Sequence, residues 1–134
     1  MPEVHAELTT DRDPDELAKI VTDYYGIHTW SAGVNATAAD ETRPGTRLCT
    51  LASGARVAEQ LVDFGPTFVR YRMITDETSP MSDYEAELRV TPGATGGSVL
   101  SWGASFHCAP SLEEPLTGGI RATFEQGLED LRAS

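Results

Sequence analysis

Hydrophobic and polar positions change their rhythm twice along this chain. Residues 3–9 can form a first strand, and Asp13-Pro14-Asp15-Glu16 then offers an N-cap, a proline at the first helical position and a glutamate at the third. A helix is expected over 14–23, with Leu17, Ile20 and Val21 on one face and Gly26 behind it as terminator or hinge. A short helical turn at 27–30 follows. From there the period falls to two. Turn-forming clusters at Thr42-Arg43-Pro44-Gly45, Ala52-Ser53-Gly54, Phe64-Gly65-Pro66, Thr78-Ser79-Pro80 and Thr91-Pro92-Gly93 separate strands expected at 34–40, 45–52, 56–64, 67–76, 82–92 and 97–107, the pattern of an antiparallel meander. Alternation is clearest in the last two. Tyr84, Ala86, Leu88 and Val90 oppose Asp83, Glu85, Glu87 and Arg89, and Leu100, Trp102, Ala104 and Phe106 oppose Ser101, Gly103, Ser105 and His107, so each strand has one buried and one wet face.

After Ser111 the helical period returns in the most strongly patterned segment of the chain. Leu116, Ile120, Phe124, Leu128 and Leu131 make one apolar stripe as far as Arg132, with Glu125, Glu129, Asp130 and Arg132 largely on the solvent side. Gly118-Gly119 loosens this helix early, at up to about 1 kcal/mol per glycine relative to alanine, either as a frayed first turn or to make room for a ligand. A strand, short helices, six more strands and one long amphipathic helix specify an α+β fold in which an antiparallel sheet must curl around that helix to cover its stripe.

Composition narrows the partners. The 134 residues suit a single domain spanning the whole chain, and no apolar run approaches the length that spans a bilayer. The opening MPEVHAELTT has neither a basic region nor an apolar core, so no secretory signal is read there and a cytoplasmic location is expected. A net charge of -11 repels phosphate backbones, and the arginines are scattered, which argues against nucleic acid. Lys19 is the single lysine, a bias that goes with a GC-rich genome, an actinobacterial one being the expectation. Cys49 and Cys108 lie in different strands with no CxxC spacing and no histidine pair beside them, so free buried thiols are expected and no metal site. No motif assembles a serine, histidine and acid into a triad, and no Gly-rich phosphate loop occurs.

A further set of short motifs carries a family resemblance. Trp30, P-G-T-R at 44–47, V-A-E-Q-L at 57–61, V-R-Y-R-M-I at 69–74, S-D-Y-E-A-E-L-R-V-T-P at 82–92, S-W-G-A-S-F at 101–106 and F-E-Q-G-L-E-D-L at 124–131 occur in this order. From Asp15 to Leu131 the sequence resembles the helix-grip superfamily of START and Bet v 1-like (SRPBCC) proteins, most closely its polyketide cyclase/dehydrase branch. The resemblance implies a seven-stranded sheet gripping the last helix around a deep apolar cavity, with the loops after the third and fifth strands over its mouth. In the plant abscisic acid receptors of the same superfamily a glutamate on the fourth strand and a tyrosine early in the sixth line the pocket, and these match Glu59 and Tyr84. Their gate and latch loops do not match, since Ser53-Gly54-Ala55-Arg56 and Ser79-Pro80-Met81 stand in those places, so a hormone-receptor role is not implied.

Several side chains could do chemistry in such a cavity. Glu59 shares its parity with Val57 and Leu61, and a carboxylate carried into apolar surroundings is suited to general acid or base work, or else is a structural glutamate bonded to arginine or tyrosine neighbours. Tyr84 and Tyr71 could donate to a carbonyl or enolate oxygen, or simply pack. Arg47 has the parity of Cys49 and Leu51, whose receptor counterparts face the pocket, and an inward arginine pairs either with Glu59 or with a ligand carboxylate. Trp102 and Trp30 supply flat walls or core filling. Met73, Leu100, Phe106, Ile120 and Phe124 complete the expected lining. His5 and His107 fall on wet positions, while His28 lies near the expected opening.

These readings lead to a protein that holds a small hydrophobic or aromatic molecule. The branch resemblance implies a cyclase or dehydratase acting on a polyketide-like intermediate without a cofactor, with Glu59 and Tyr84 as catalytic groups. The alternatives are a non-catalytic carrier or sensor of a hydrophobic ligand and a groove that takes a peptide or lipid tail. Monomer and homodimer both remain open.

Overall fold

In the computed structural model, which describes all of residues 1–134, seven strands form one antiparallel sheet. They are β1 (Glu3–Thr10), β2 (Val34–Ala39), β3 (Thr46–Leu51), β4 (Arg56–Phe64), β5 (Phe68–Ile74), β6 (Met81–Pro92) and β7 (Ser98–Cys108). Their order, β1-β7-β6-β5-β4-β3-β2, is a meander of hairpins with β1 returned beside the last strand. Short connections make this order inevitable, because strands joined by tight turns pair with one another. Two of the turns share a device: the Asp40 and Asp76 carboxylates accept the backbone N–H of Thr42 and Thr78, each at 2.9 Å, closing the chain on itself where the sheet reverses.

The register shifts at three places, between Val34 and Ala36, between Leu61 and Asp63, and between Ser82 and Glu85. Each inserted residue increases local twist, which is what bends a flat ladder into a trough. The third leaves Asp83 at φ 52°, a left-handed conformation unusual for a residue with a side chain. It lets Tyr84 keep its inward direction while Ser82 and Glu85 stay outside.

Helix α1 (Pro14–Thr22) begins as its sequence requires: the Asp13 side chain accepts the Glu16 backbone N–H at 3.1 Å, and the helix packs Leu17 and Val21 onto β5 and β6. Its continuation differs from the sequence expectation. The turn placed at 27–30 is a 3₁₀ helix over Tyr24–Thr29, and Gly26 sits inside it instead of ending α1. The reason is local: Asp23 leaves helical backbone, and Gly26 packs under the Asp23 carboxylate, where any Cβ would collide with it.

Helix α2 (Glu113–Ala133), preceded by a 3₁₀ turn at Pro110–Leu112, lies in the trough against β1 and β7. Only its second half buries the stripe: Phe124, Gly127, Leu128 and Leu131 are buried, whereas Leu116 and Ile120 are half-buried. The end of α2 is fastened by Arg12, whose guanidinium donates to the carbonyls of Arg132 at 2.6 Å and Ser134 at 2.7 Å. Leu17, Leu100, Phe106 and Leu131 are fully enclosed and form the floor of one continuous core with Leu88 and Val90. A curved antiparallel sheet closed over a long C-terminal helix is the helix-grip fold.

Candidate functional site

Because the first half of α2 stands off the sheet, the trough is not filled. A cavity of about 760 Å³ lies between that half-helix, the inner faces of β3 to β7, the segment 31–34 and the β3–β4 turn at Ala52 and Ser53. Its surface is mostly apolar. Of the residues expected to line it, Cys49, Leu51, Tyr71 and Met73 do so from the sheet, with Glu59 and Tyr84, and Trp102, Ile120 and Phe124 complete the wall.

Four expected lining residues stand elsewhere. Leu100 and Phe106 have the right parity but are fully enclosed by other side chains on either side of Trp102 along β7, with Phe106 stacked on Tyr84 at 6.2 Å between centroids. Trp30 packs behind Trp102 at 6.0 Å and does not face the cavity. Arg47 points inward yet is covered by its partners. His28 is exposed on the 3₁₀ helix and takes no part in the cavity wall.

Arg47 and Glu59 are directly opposite each other on β3 and β4. Arg47 Nε and Nη2 both bond Glu59 Oε1, at 2.9 and 2.8 Å, and Nη1 donates to the Tyr24 carbonyl at 2.7 Å. The guanidinium is held between the rings of Tyr24, at 4.1 Å to its centroid, and Tyr71, at 4.9 Å. Burial works most strongly against its charge, but the Glu59 carboxylate together with Tyr71, Tyr24 and Cys49 more than offsets it, so its pKa stands above the ordinary arginine value. The Tyr24 hydroxyl donates to the Glu59 carbonyl at 2.7 Å, locking the 3₁₀ helix over the same pair. Sequence reasoning missed Tyr24, which carries no periodic signal of its own.

The pair uses one carboxylate oxygen and spares the other. Oε1 takes both arginine bonds and a long contact of 3.8 Å from the Cys49 thiol, whereas Glu59 Oε2 accepts nothing from the protein. The Tyr84 hydroxyl likewise has no protein partner. Burial, and then the nearby Glu59 charge, push the Tyr84 phenol above its ordinary value, so it stays a protonated donor at neutral pH. Burial, and then the Glu59 charge, push the Cys49 thiol up to about 11, which leaves it a poor nucleophile. Tyr71 is raised by burial above all, and its hydroxyl is occupied by the Trp102 indole N–H at 3.0 Å. The chamber thus presents an acceptor, Glu59 Oε2, and a donor, the Tyr84 hydroxyl, neither bonded to the protein.

Glycines set the shape of α2 over this chamber. A Cβ at Gly127 would lie 2.6 Å from the Trp102 ring, so the helix docks on that indole only because nothing is there, while Gly118 and Gly119 have no atom within 4 Å. Gly118→Ala is therefore expected to raise stability by up to about 1 kcal/mol, and Gly127→Ala to lower it by about 1–2 kcal/mol despite the better helix former. Urea unfolding of the two variants measures this. Shifts of the same sign would contradict the docking geometry. Asp130, also missed by sequence reasoning, fastens the cavity rim: its carboxylate accepts the Ala32 backbone N–H at 3.0 Å and the Gln126 amide at 3.0 Å.

Comparison with known proteins gives the same architecture. Solved structures that superpose on this chain include the protein XoxI from Bacillus cereus, with a TM-score of 0.89 at 15% identity over 99% of this chain and 94% of that one. A START superfamily protein from Mycobacterium smegmatis has a TM-score of 0.75 at 11% identity, covering 98% of this chain and 94% of that chain. The di-domain ARO/CYC StfQ from the steffimycin biosynthetic pathway has a TM-score of 0.72 at 14% identity, covering 98% of this chain and 49% of that longer one. No curated protein matches the sequence. The model of the family described as polyketide cyclase / dehydrase and lipid transport matches residues 1–134, the whole length over which the sheet, the grip helix and the cavity are built, and the chain belongs to that family.

Proposed function

We propose that this protein encloses a small hydrophobic molecule and acts on it as a polyketide-type cyclase or dehydratase by acid–base chemistry. The observation that carries this reading is the meeting of Glu59 Oε2 and the Tyr84 hydroxyl, both without protein partners, in one apolar chamber. The chamber folds a reactive chain into one shape and excludes water. Tyr84 donates to a carbonyl oxygen and stabilises the charge that develops there, and Glu59 Oε2 takes a proton from the adjacent carbon and returns it to a departing hydroxyl. Nothing in this sequence of steps requires a cofactor.

The Arg47–Glu59 ion pair favours a second reading. A carboxylate fixed by its counter-charge at 2.8 Å suits a carrier or sensor that only orients its ligand. Native mass spectrometry of the purified protein, with extraction of whatever travels with it, nominates the compound for assay. With that compound, Glu59→Gln is expected to keep its affinity and to turn over at least about a hundredfold more slowly. Binding without any turnover by the unmodified protein would leave the carrier. A protein that retains nothing and binds no aromatic or lipid probe would overturn both readings.

A further inference from the structure

The charges around the cavity say what kind of molecule it takes, granted that it takes one. Two acidic side chains line it, Glu59 and Asp130, and no basic one does. Asp130 is held at the rim by Ala32 and Gln126. Arg47, the one buried cation, is spent: every nitrogen of its guanidinium is engaged, Nε and Nη2 on Glu59 and Nη1 on the Tyr24 carbonyl, and two tyrosine rings cover its faces. A ligand carboxylate would enter a mostly apolar space that offers no free cation and one carboxylate already facing inward. That costs desolvation without repayment. A ligand hydroxyl meets the opposite situation, since Glu59 Oε2 is an acceptor without a donor and Tyr84 is a donor without an acceptor. A hydroxyl on a ring satisfies the first, and a neighbouring carbonyl satisfies the second.

We propose that the cavity selects uncharged, hydroxyl-bearing aromatic molecules and rejects carboxylate amphiphiles such as fatty acids, and that the Arg47–Glu59 pair is the element that sets this choice. The proposal rests on the cavity being a ligand site, and it adds which charge class enters. It also makes a statement about reversal. Taking away the Glu59 charge while keeping Arg47 leaves a buried guanidinium without a counter-ion, and a ligand carboxylate in the adjoining cavity can then supply the missing charge.

Three probes of one shape test it by titration calorimetry at neutral pH: 2-naphthol, 2-naphthoate and 2-methylnaphthalene. The intact protein is expected to bind 2-naphthol at least about tenfold more tightly than 2-naphthoate. Glu59→Gln is expected to bring the two within a few fold or to invert them, by tightening 2-naphthoate at least about tenfold. The double variant Arg47→Met/Glu59→Gln, which carries neither charge, should lose that gain and favour 2-naphthol again. Equal or tighter binding of 2-naphthoate by the intact protein overturns the proposal, and that comparison needs no variant to fold. Binding of 2-methylnaphthalene as tight as that of 2-naphthol also overturns it, because no hydroxyl is then being read. If none of the three binds, the proposal fails, and the functional reading fails with it where the protein also retains nothing and binds no lipid probe.

Discussion

Arg47→Met is expected to cost about 3–5 kcal/mol of folding stability, a large part of what a small domain has. The side chains of Arg47 and Glu59 are 3% and 11% exposed, so either charge is poorly solvated if the other is removed. Methionine restores the volume between the Tyr24 and Tyr71 rings but not the charge, leaving Glu59 ionised in an apolar site and the Tyr24 carbonyl without its donor. Adding Glu59→Gln to Arg47→Met removes the stranded charge, and most of the loss should return, because an ion pair taken out whole gives back its desolvation cost. Urea unfolding of the two single variants and the double variant closes the cycle. The double variant is expected to be more stable than Arg47→Met. Strict additivity would mean that the two groups do not depend on each other, against the geometry seen here.

That pair also marks how far a sequence can be read. The strands were legible because alternation has a period that one wet face enforces, and α2 was legible because five apolar positions repeat at helical spacing. Parity, together with the receptor resemblance, turned Arg47, Cys49, Glu59 and Tyr84 inward, as the structure places them. Parity says which face, however, and not how deep along the trough. Leu100 and Phe106 share the inward face with Trp102, yet both are fully enclosed by other side chains, and only the tertiary packing decides that. The partner of Arg47 was open for a similar reason. A ligand carboxylate and Glu59 are chemically alike, and the choice between them depends on strand register and on Tyr24, which arrives from a 3₁₀ helix whose position no local pattern encodes. Gly127 was hidden because a glycine in a helix reads as weakness, whereas here its missing side chain is a contact surface for Trp102.

Phe124→Ala is expected to cost about 3–5 kcal/mol, and Leu116→Ala less than about 1 kcal/mol, although both residues belong to the same stripe of α2. Phe124 is buried and lies parallel to Trp102, centroids 4.8 Å apart and planes within 7°. Trp102 is fixed in turn by Trp30 behind it and by its hydrogen bond to Tyr71. Removing the ring adds its volume to a cavity that already exists, so the surroundings cannot collapse to recover the lost contacts, and the penalty falls at the upper end for such a change. Leu116, half-buried over the chamber, has little packing to lose. Phe124→Leu should fall between the two, since it keeps apolar contact but not the stack. Thermal and urea unfolding of the three variants test this, and equal losses for Phe124→Ala and Leu116→Ala would mean that α2 is gripped evenly along its length. The expected inequality has a functional consequence: the second half of α2 carries the stability, which leaves the first half free to cover a ligand without being required to hold the fold.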